Sequence, residues 1–259
     1  MKNIFQNLHK VLIAAIVIYS YFFTFSQAQE LRFGPKAGLT VSDITNVITP
    51  GSPFQTPTNP VFGFHGGVVV DIAINDHLSI APEVLFSTAG AKQSTDETTK
   101  YSQLGYDYTL SLTGTDYINL NYLQLPIMLK HKSDKGIYMS FGPTLGYLLS
   151  AKYTDASILK TTTVFNNVTT SGSVATDTAY RIDTAFKKLD IGIAFGCGYQ
   201  FEFGLGFGIR YVIGISDIFK GGVTYPDVSS PYYRTITQGS YGKNEIFQFS
   251  ISYLFGGSK

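Results

Sequence analysis

The stretch FGLGFGIRYVIGIS, residues 203–216, sets large apolar side chains at every second position and almost nothing but glycine between them. Phe203, Leu205, Phe207, Ile209, Tyr211, Ile213 and Ile215 fall on one face; Gly204, Gly206, Gly208, Arg210, Val212, Gly214 and Ser216 fall on the other. Side chains alternate across a strand with period two, so the segment reads as a two-faced strand. Which face meets water decides the fold. A soluble barrel around an apolar cavity would clothe its outside in Lys, Glu and Thr. A face of tiny residues suits instead the interior of a narrow eight-stranded barrel, which has just enough room for side chains, with the Phe, Ile, Leu and Tyr face against lipid.

The same pattern recurs along the chain. Strand-like segments occupy 31–42, 61–74, 78–89, 117–131, 137–150, 187–201, 203–216 and 245–255, eight in all. Their small faces include Gly34, Gly38 and Thr40, then Ser140, Gly142, Thr144 and Gly146, then Gly192, Ala194, Gly196 and Gly198. Short connections (NDH, KSDKG and Glu202) alternate without exception with long polar ones at 43–60, 90–116, 151–186 and 217–244. A meander of this kind puts every tight turn at one end and every long loop at the other, as outer-membrane barrels do with periplasmic turns and extracellular loops. The expected fold is all-β: an eight-stranded antiparallel up-and-down transmembrane β-barrel.

Composition agrees with a membrane barrel. Charged residues make up 14%, aromatics 15%, and mean hydropathy is +0.09, against about 25% charged in an average soluble chain. A net charge of +1 and the lack of a basic stripe give no reason to expect nucleic acid. At the N-terminus, Lys2 and Lys10 precede an uncharged run from Val11 to Phe25, with Ser26 and Ala28 at the −3 and −1 positions of a cut before Gln29. This layout predicts a signal peptide at 1–28 and one barrel domain at 29–259; a retained anchor helix is the rival, but the run is short against the roughly 20 residues a span needs. The single cysteine, Cys197, excludes an intramolecular disulfide, and no zinc site or redox pair can be built from it.

Two irregularities need repair. Pro35, Pro82, Pro126 and Pro143 lie inside proposed strands, where each removes a ladder donor, so bulges or local breaks are expected there. In the fourth segment Leu123, Leu125, Ile127 and Leu129 share one face while Ile118, Leu120 and Tyr122 fall on the other, which predicts a bulge near Tyr122–Leu123.

FGPKAGLTVSD (33–43), LSIAPEVLFSTAGAK (78–92), NYLQLPIMLKHK (121–132), FGPTLGYLLSAK (141–152) and the closing FSISYLF (249–255) resemble the PorT-like outer-membrane β-barrel domain family of Gram-negative bacteria. The resemblance spans essentially the whole mature chain and rests on structural motifs. It implies fold and location, with no active site. Phe255 is similar to the aromatic end signal read by the barrel-insertion machinery, and four residues follow it here.

By the alternation, Lys36, Glu83 and Arg210 point into the lumen near mid-height, with Arg32, Asp71 and Lys130 toward the periplasmic end and Lys188 and Asp190 toward the outer end. These charges read either as a selectivity ring or as a plug paired across a lumen too narrow for a water column; the small size of the interior favours the plug. For catalysis the one candidate pair is His65 with Asp190, across the lumen; His77 and His131 lie at periplasmic turns. No nucleophile elbow, metal spacing or phosphate loop accompanies them, and GSYGK (239–243) lacks the P-loop spacing, so no cofactor or metal is implied.

Binding then falls to the loops. Tyr101, Tyr106, Tyr108, Tyr117, Tyr225, Tyr232, Tyr233 and Tyr241 lie in or at the ends of loops and read either as contact area or as an aromatic girdle; Tyr117, Tyr225 and Tyr241, near strand ends, suit the girdle, and for the mid-loop Tyr106, Tyr108, Tyr232 and Tyr233 both readings stand. DTA occurs at 177–179 and 183–185, similar to a short bacterial glycosylation acceptor. The function expected is a non-enzymatic integral outer-membrane barrel, held in lipid, whose extracellular loops contact an unidentified ligand or surface partner. The alternatives are a small passive pore or secretion and assembly factor, and a barrel enzyme.

Overall fold

The structure, a computed structural model, describes residues 30–48, 58–220 and 241–256. The signal segment 1–28 and Tyr225, Tyr232 and Tyr233 lie outside the described residues. Nine strands follow one another: β1 (Leu31–Ile48), β2 (Val61–Ala73), β3 (Leu78–Gln103), β4 (Tyr106–Lys132), β5 (Ile137–Phe165), β6 (Val168–Arg181), β7 (Leu189–Gln200), β8 (Leu205–Gly214) and β9 (Tyr241–Tyr253). All ladders are antiparallel, and pairing runs β4-β3-β2-β1-β9-β8-β7-β5, with a β4–β5 ladder closing an eight-strand ring. Among the described residues the ninth strand, β6, pairs only with the outer half of β5.

The two faces of the ring fall as the period-two pattern predicts. Phe33, Leu39, Phe62, Val68, Ile127, Met139, Phe195, Phe207 and Ile251 are exposed on its outside. Thr40, His65, Glu83, Gln124, Thr144 and Arg210 are buried within it. At the end expected to face the periplasm the turns are tight, and Gly136 (φ 85°) and Gly204 (φ 100°) take the left-handed conformation that side chains resist.

The long connections differ from expectation. Residues 90–116 form no loop: β3 and β4 continue past the ring and meet at Leu104 (φ 55°) and Gly105 (φ 78°). Residues 151–181 likewise become the outer half of β5 and β6, joined at Asn166 (φ 47°) and Asn167 (φ 63°). Positive φ at both central residues is the tight hairpin geometry whose twist matches that of strands. Because the outer β4 and β5 also pair, the two hairpins make one sheet in the order β3-β4-β5-β6, on the side that the loop pattern expects to be extracellular. Thr and Ser recur on both of its faces, with Leu112, Leu159 and Val174 paired across one of them, so alternation carries little hydrophobic signal there.

The expected bulge is in a different strand. β4 keeps its alternation, with Leu120 and Tyr122 both buried on the inner side. The ladder steps from Asn121↔Ser150 to Tyr122↔Leu148, so the extra residue is Leu149 of β5. The prolines produce local breaks without any register shift. The β1–β9 ladder passes from Phe33↔Phe255 to Lys36↔Ser252 across Pro35, and β2–β3 passes from Val69↔Glu83 to Ile72↔Ile80 across Pro82. Likewise β3–β4 passes from Pro82↔Ile127 to Leu85↔Gln124 beside Pro126, and β4–β5 from Pro126↔Thr144 to Leu129↔Phe141 beside Pro143. Each proline leaves one seam open and its other seam paired. Lys188, expected in the lumen, is exposed, because β7 begins only at Leu189.

Candidate functional site

The lumen is filled in layers. At the periplasmic mouth a vestibule of about 200 Å³ is lined by Glu30, Arg32, Asp71, Asp76, Lys130 and Lys132, among others. Above it, Lys130 Nζ donates to Asp71 Oδ2 at 2.8 Å and lies 4.6 Å from the centroid of the Tyr138 ring. The glycines of the opening stretch explain how that ring fits. Gly198 and Gly208 face each other across β7 and β8, and a Cβ on either would come within 2.5 and 2.3 Å of the Tyr138 hydroxyl. Glycine here gives a large side chain from β5 its place against the wall.

The structure brings Lys36, Glu83 and Arg210 together from β1, β3 and β8. Arg210 donates to Glu83 through both terminal nitrogens, at 2.8 and 2.6 Å, and Lys36 Nζ reaches the same two oxygens at 2.9 and 3.1 Å. Their side chains are 7%, 3% and 11% exposed in the order Arg210, Glu83, Lys36. Bidentate charge-assisted bonds are the strong kind, and a carboxylate shared by two cations holds three strands at one depth.

The layer above is polar. His65 Nε2 lies 2.9 Å from Ser250 Oγ, and Gln248 Nε2 donates to Gln124 Oε1 at 3.3 Å. Asn244 Nδ2 donates to the Tyr122 hydroxyl at 3.1 Å and to Asp190 Oδ2 at 2.8 Å, while Ser216 Oγ donates to Asp190 Oδ1 at 2.9 Å. His65 and Asp190 therefore have separate partners rather than each other. His77 and His131 stack at the periplasmic end, 6.2 Å apart. Among the described residues no group of three or more His, Cys, Asp or Glu side chains could hold a metal ion.

The outer mouth is closed by an apolar lid that sequence reading missed. Ile182, Ala185, Phe186, Ile218 and Phe219 are buried against Ile44, Leu120, Leu148 and Ile246, and the Phe186 and Phe219 rings lie 5.0 Å apart. Backbone bonds between Lys187 and Ile218 and between Lys220 and Ala185 join the two lid segments. Two aspartates tie them down. Asp217 accepts the Gly242 N–H at 2.9 Å and the Lys187 ammonium at 2.9 Å. Asp183, in a short 3-10 turn (Asp183–Ala185), accepts the Ala151 N–H at 2.5 Å and the Arg181 Nε–H at 2.8 Å. Burial raises the Asp183 carboxyl, but these two donors outweigh it and hold the group below its ordinary range. The second DTA thus contributes Asp183 and Ala185 to the lid. Aromatic residues inside polar connections, Phe186 and Phe219, were the available signal.

Above the lid stands the extracellular sheet. At its far end Tyr101 stacks on Tyr108 at 4.8 Å, Tyr108 lies 6.1 Å from Tyr106, and Tyr106 stacks on Phe165 at 4.1 Å. Along β4 this is about 35 Å of strand beyond Tyr117, too far for a girdle at the ring. Leu104, at the turn, is 89% exposed.

A ring of eight antiparallel strands, apolar outside and polar within, defines an integral β-barrel, the class that crosses the bacterial outer membrane. Residues 25–220 match the family described as outer membrane protein β-barrel domain, and the chain belongs to that family and to the outer membrane. Among solved structures, Ail, the attachment invasion locus protein of Yersinia pestis, is similar at 12% identity over 87% of this chain and 99% of its own, with a TM-score of 0.29. Neisserial surface protein A is similar at 11% identity over 88% and 100%, with a TM-score of 0.33. CarO of Acinetobacter baumannii is similar at 12% identity over 86% and 97%, with a TM-score of 0.30. No curated protein matches the chain.

Proposed function

We propose that this chain is a non-enzymatic, PorT-like barrel whose lumen is a closed plug and whose extracellular sheet makes the contact that matters, with a ligand or partner at the cell surface. The observation that carries this reading is the continuation of β3, β4 and β5 beyond the ring into a sheet with β6, ending in stacked aromatics. Tyrosines supply large contact area at small entropic cost. The layered lumen supports the plug, since ion pairs and an apolar lid fill the space a conducting path would use.

The test has two arms. In planar bilayers the purified barrel shows no steady conductance of porin size; a stable open channel would sink the plug and promote the passive-pore reading. On whole cells, a photo-crosslinking residue at Ser102 captures a defined surface partner, and capture falls when Tyr101, Tyr106 and Tyr108 are changed to Ser. Capture that survives those changes removes the aromatic tip from the contact.

A further inference from the structure

Charge does not balance in the lower lumen. A cavity of about 40 Å³, just above the vestibule, is lined by three cations, Lys36, Lys130 and Arg210, and by two carboxylates, Asp71 and Glu83. Lys130 is matched by Asp71, but Glu83 serves both Arg210 and Lys36. One positive charge is left over among side chains only 7–11% exposed. Among the described residues, neighbouring layers do not supply the missing acid. Glu30, Arg32, Asp76 and Lys132 in the vestibule add two charges of each sign. Above the cluster come His65, Gln124, Gln248 and Ser250, and the next carboxylate, Asp190, is already bonded to Asn244 and Ser216. An uncompensated charge in a low-dielectric interior is expensive and is relieved either by loss of the proton or by a counter-ion, and the polar cavity beside these side chains has room for the second.

We propose that this cavity is a binding site for one small monovalent anion of halide size, taken up from the periplasm. The volume suits it, since a water-sized occupant needs about 10–15 Å³ on this measure. Ammonium and guanidinium donors, with the Ser140 and Ser252 hydroxyls on the same lining, supply the chemistry. Access is from below only, because the apolar lid closes the other end.

The test uses the full barrel folded in detergent and reads chloride NMR line width at constant ionic strength. The parent shows saturable broadening that bromide displaces. Lys36→Met, which leaves the Lys130–Asp71 and Arg210–Glu83 pairs intact, loses that broadening. A second variant, Ser252→Asp, places a carboxylate opposite Lys36 in the β1–β9 ladder and loses it as well, so the result does not hang on one substitution folding. Absence of saturable broadening in the parent overturns the site. Equal broadening in parent and both variants does so too, since the bound chloride then lies elsewhere on the protein.

Discussion

β5 passes through two environments, and its two halves differ in everything except being strand. From Ile137 to Leu148 it alternates strictly: Phe141, Leu145 and Tyr147 are exposed on the outside, while Gly142, Thr144 and Gly146 are turned in. Beyond Leu149 it carries Thr and Ser on both faces and is held by β4 on one side and β6 on the other. The one extra residue lies at the border. By shifting the phase there, Leu149 lets both Leu148 and Ala151 turn inward, each 0% exposed, beneath the lid. Below the border the environment dictates the residues; above it, backbone pairing on both sides sustains the strand, with ring contacts such as Tyr106 on Phe165 and Tyr153 on Tyr180 added.

The largest expected effect tests the lower half. Breaking a buried ion pair by removing one partner costs about 3–5 kcal/mol, whereas replacing the whole set by apolar residues can be nearly neutral. Glu83→Leu should therefore lower the unfolding midpoint of the detergent-folded barrel far more than the triple change of Lys36, Glu83 and Arg210 to Met, Leu and Met. A single variant as stable as the parent would mean that the three charges are hydrated.

Next comes the border itself. Phe186 is 0% exposed, and truncating a buried Phe to Ala costs about 3 kcal/mol or more. Because the lid joins two connections rather than ring strands, Phe186→Ala should make the 182–188 segment sensitive to protease added to whole cells while the ring stays folded. Loss of the ring together with the lid would show that the two unfold as one unit.

The smallest effect lies just above. With its carboxyl held low, Asp183 contributes stability that is present above its unfolded pKa, near 4, and lost as pH falls through the lower folded value. Asp183→Asn should cost about 1 kcal/mol at neutral pH in lid opening measured by hydrogen exchange. The difference from the parent should shrink in acid; one that is constant with pH would assign the effect to shape rather than charge.

The ring was legible because lipid on one side and a narrow lumen on the other impose period two. β1, β2, β3 and β5 begin at Leu31, Val61, Leu78 and Ile137, where the alternation begins. Depth counting along β1, β3 and β8 also singles out Lys36, Glu83 and Arg210. The outer sheet was illegible for the converse reason: stretches such as Thr95–Lys100 and Thr169–Ser173 hold no large apolar residue, and polar alternation looks like loop. The misplaced bulge has a related origin. Leu120 and Tyr122 looked wrongly phased only if the whole lumen is polar; they are inward because Phe186 and Phe219, distant in sequence, make the outer mouth apolar. Tyr138 shares the inward phase of Ser140 and Gly142, but its partners are glycines, which give no sign in sequence of what they make room for.

The four prolines acquire a meaning once the protein is considered before its ring has closed. A barrel polypeptide on its way to the membrane has every strand as an edge, and an open edge of unpaired donors and acceptors invites pairing with another chain. Pro35, Pro82, Pro126 and Pro143 each delete a donor from β1, β3, β4 or β5, and the resulting breaks fall on four different seams. In the closed ring neighbours on the same seam resume their register, so the loss is local. In transit the same residues interrupt the long, flat templates on which these chains would otherwise aggregate.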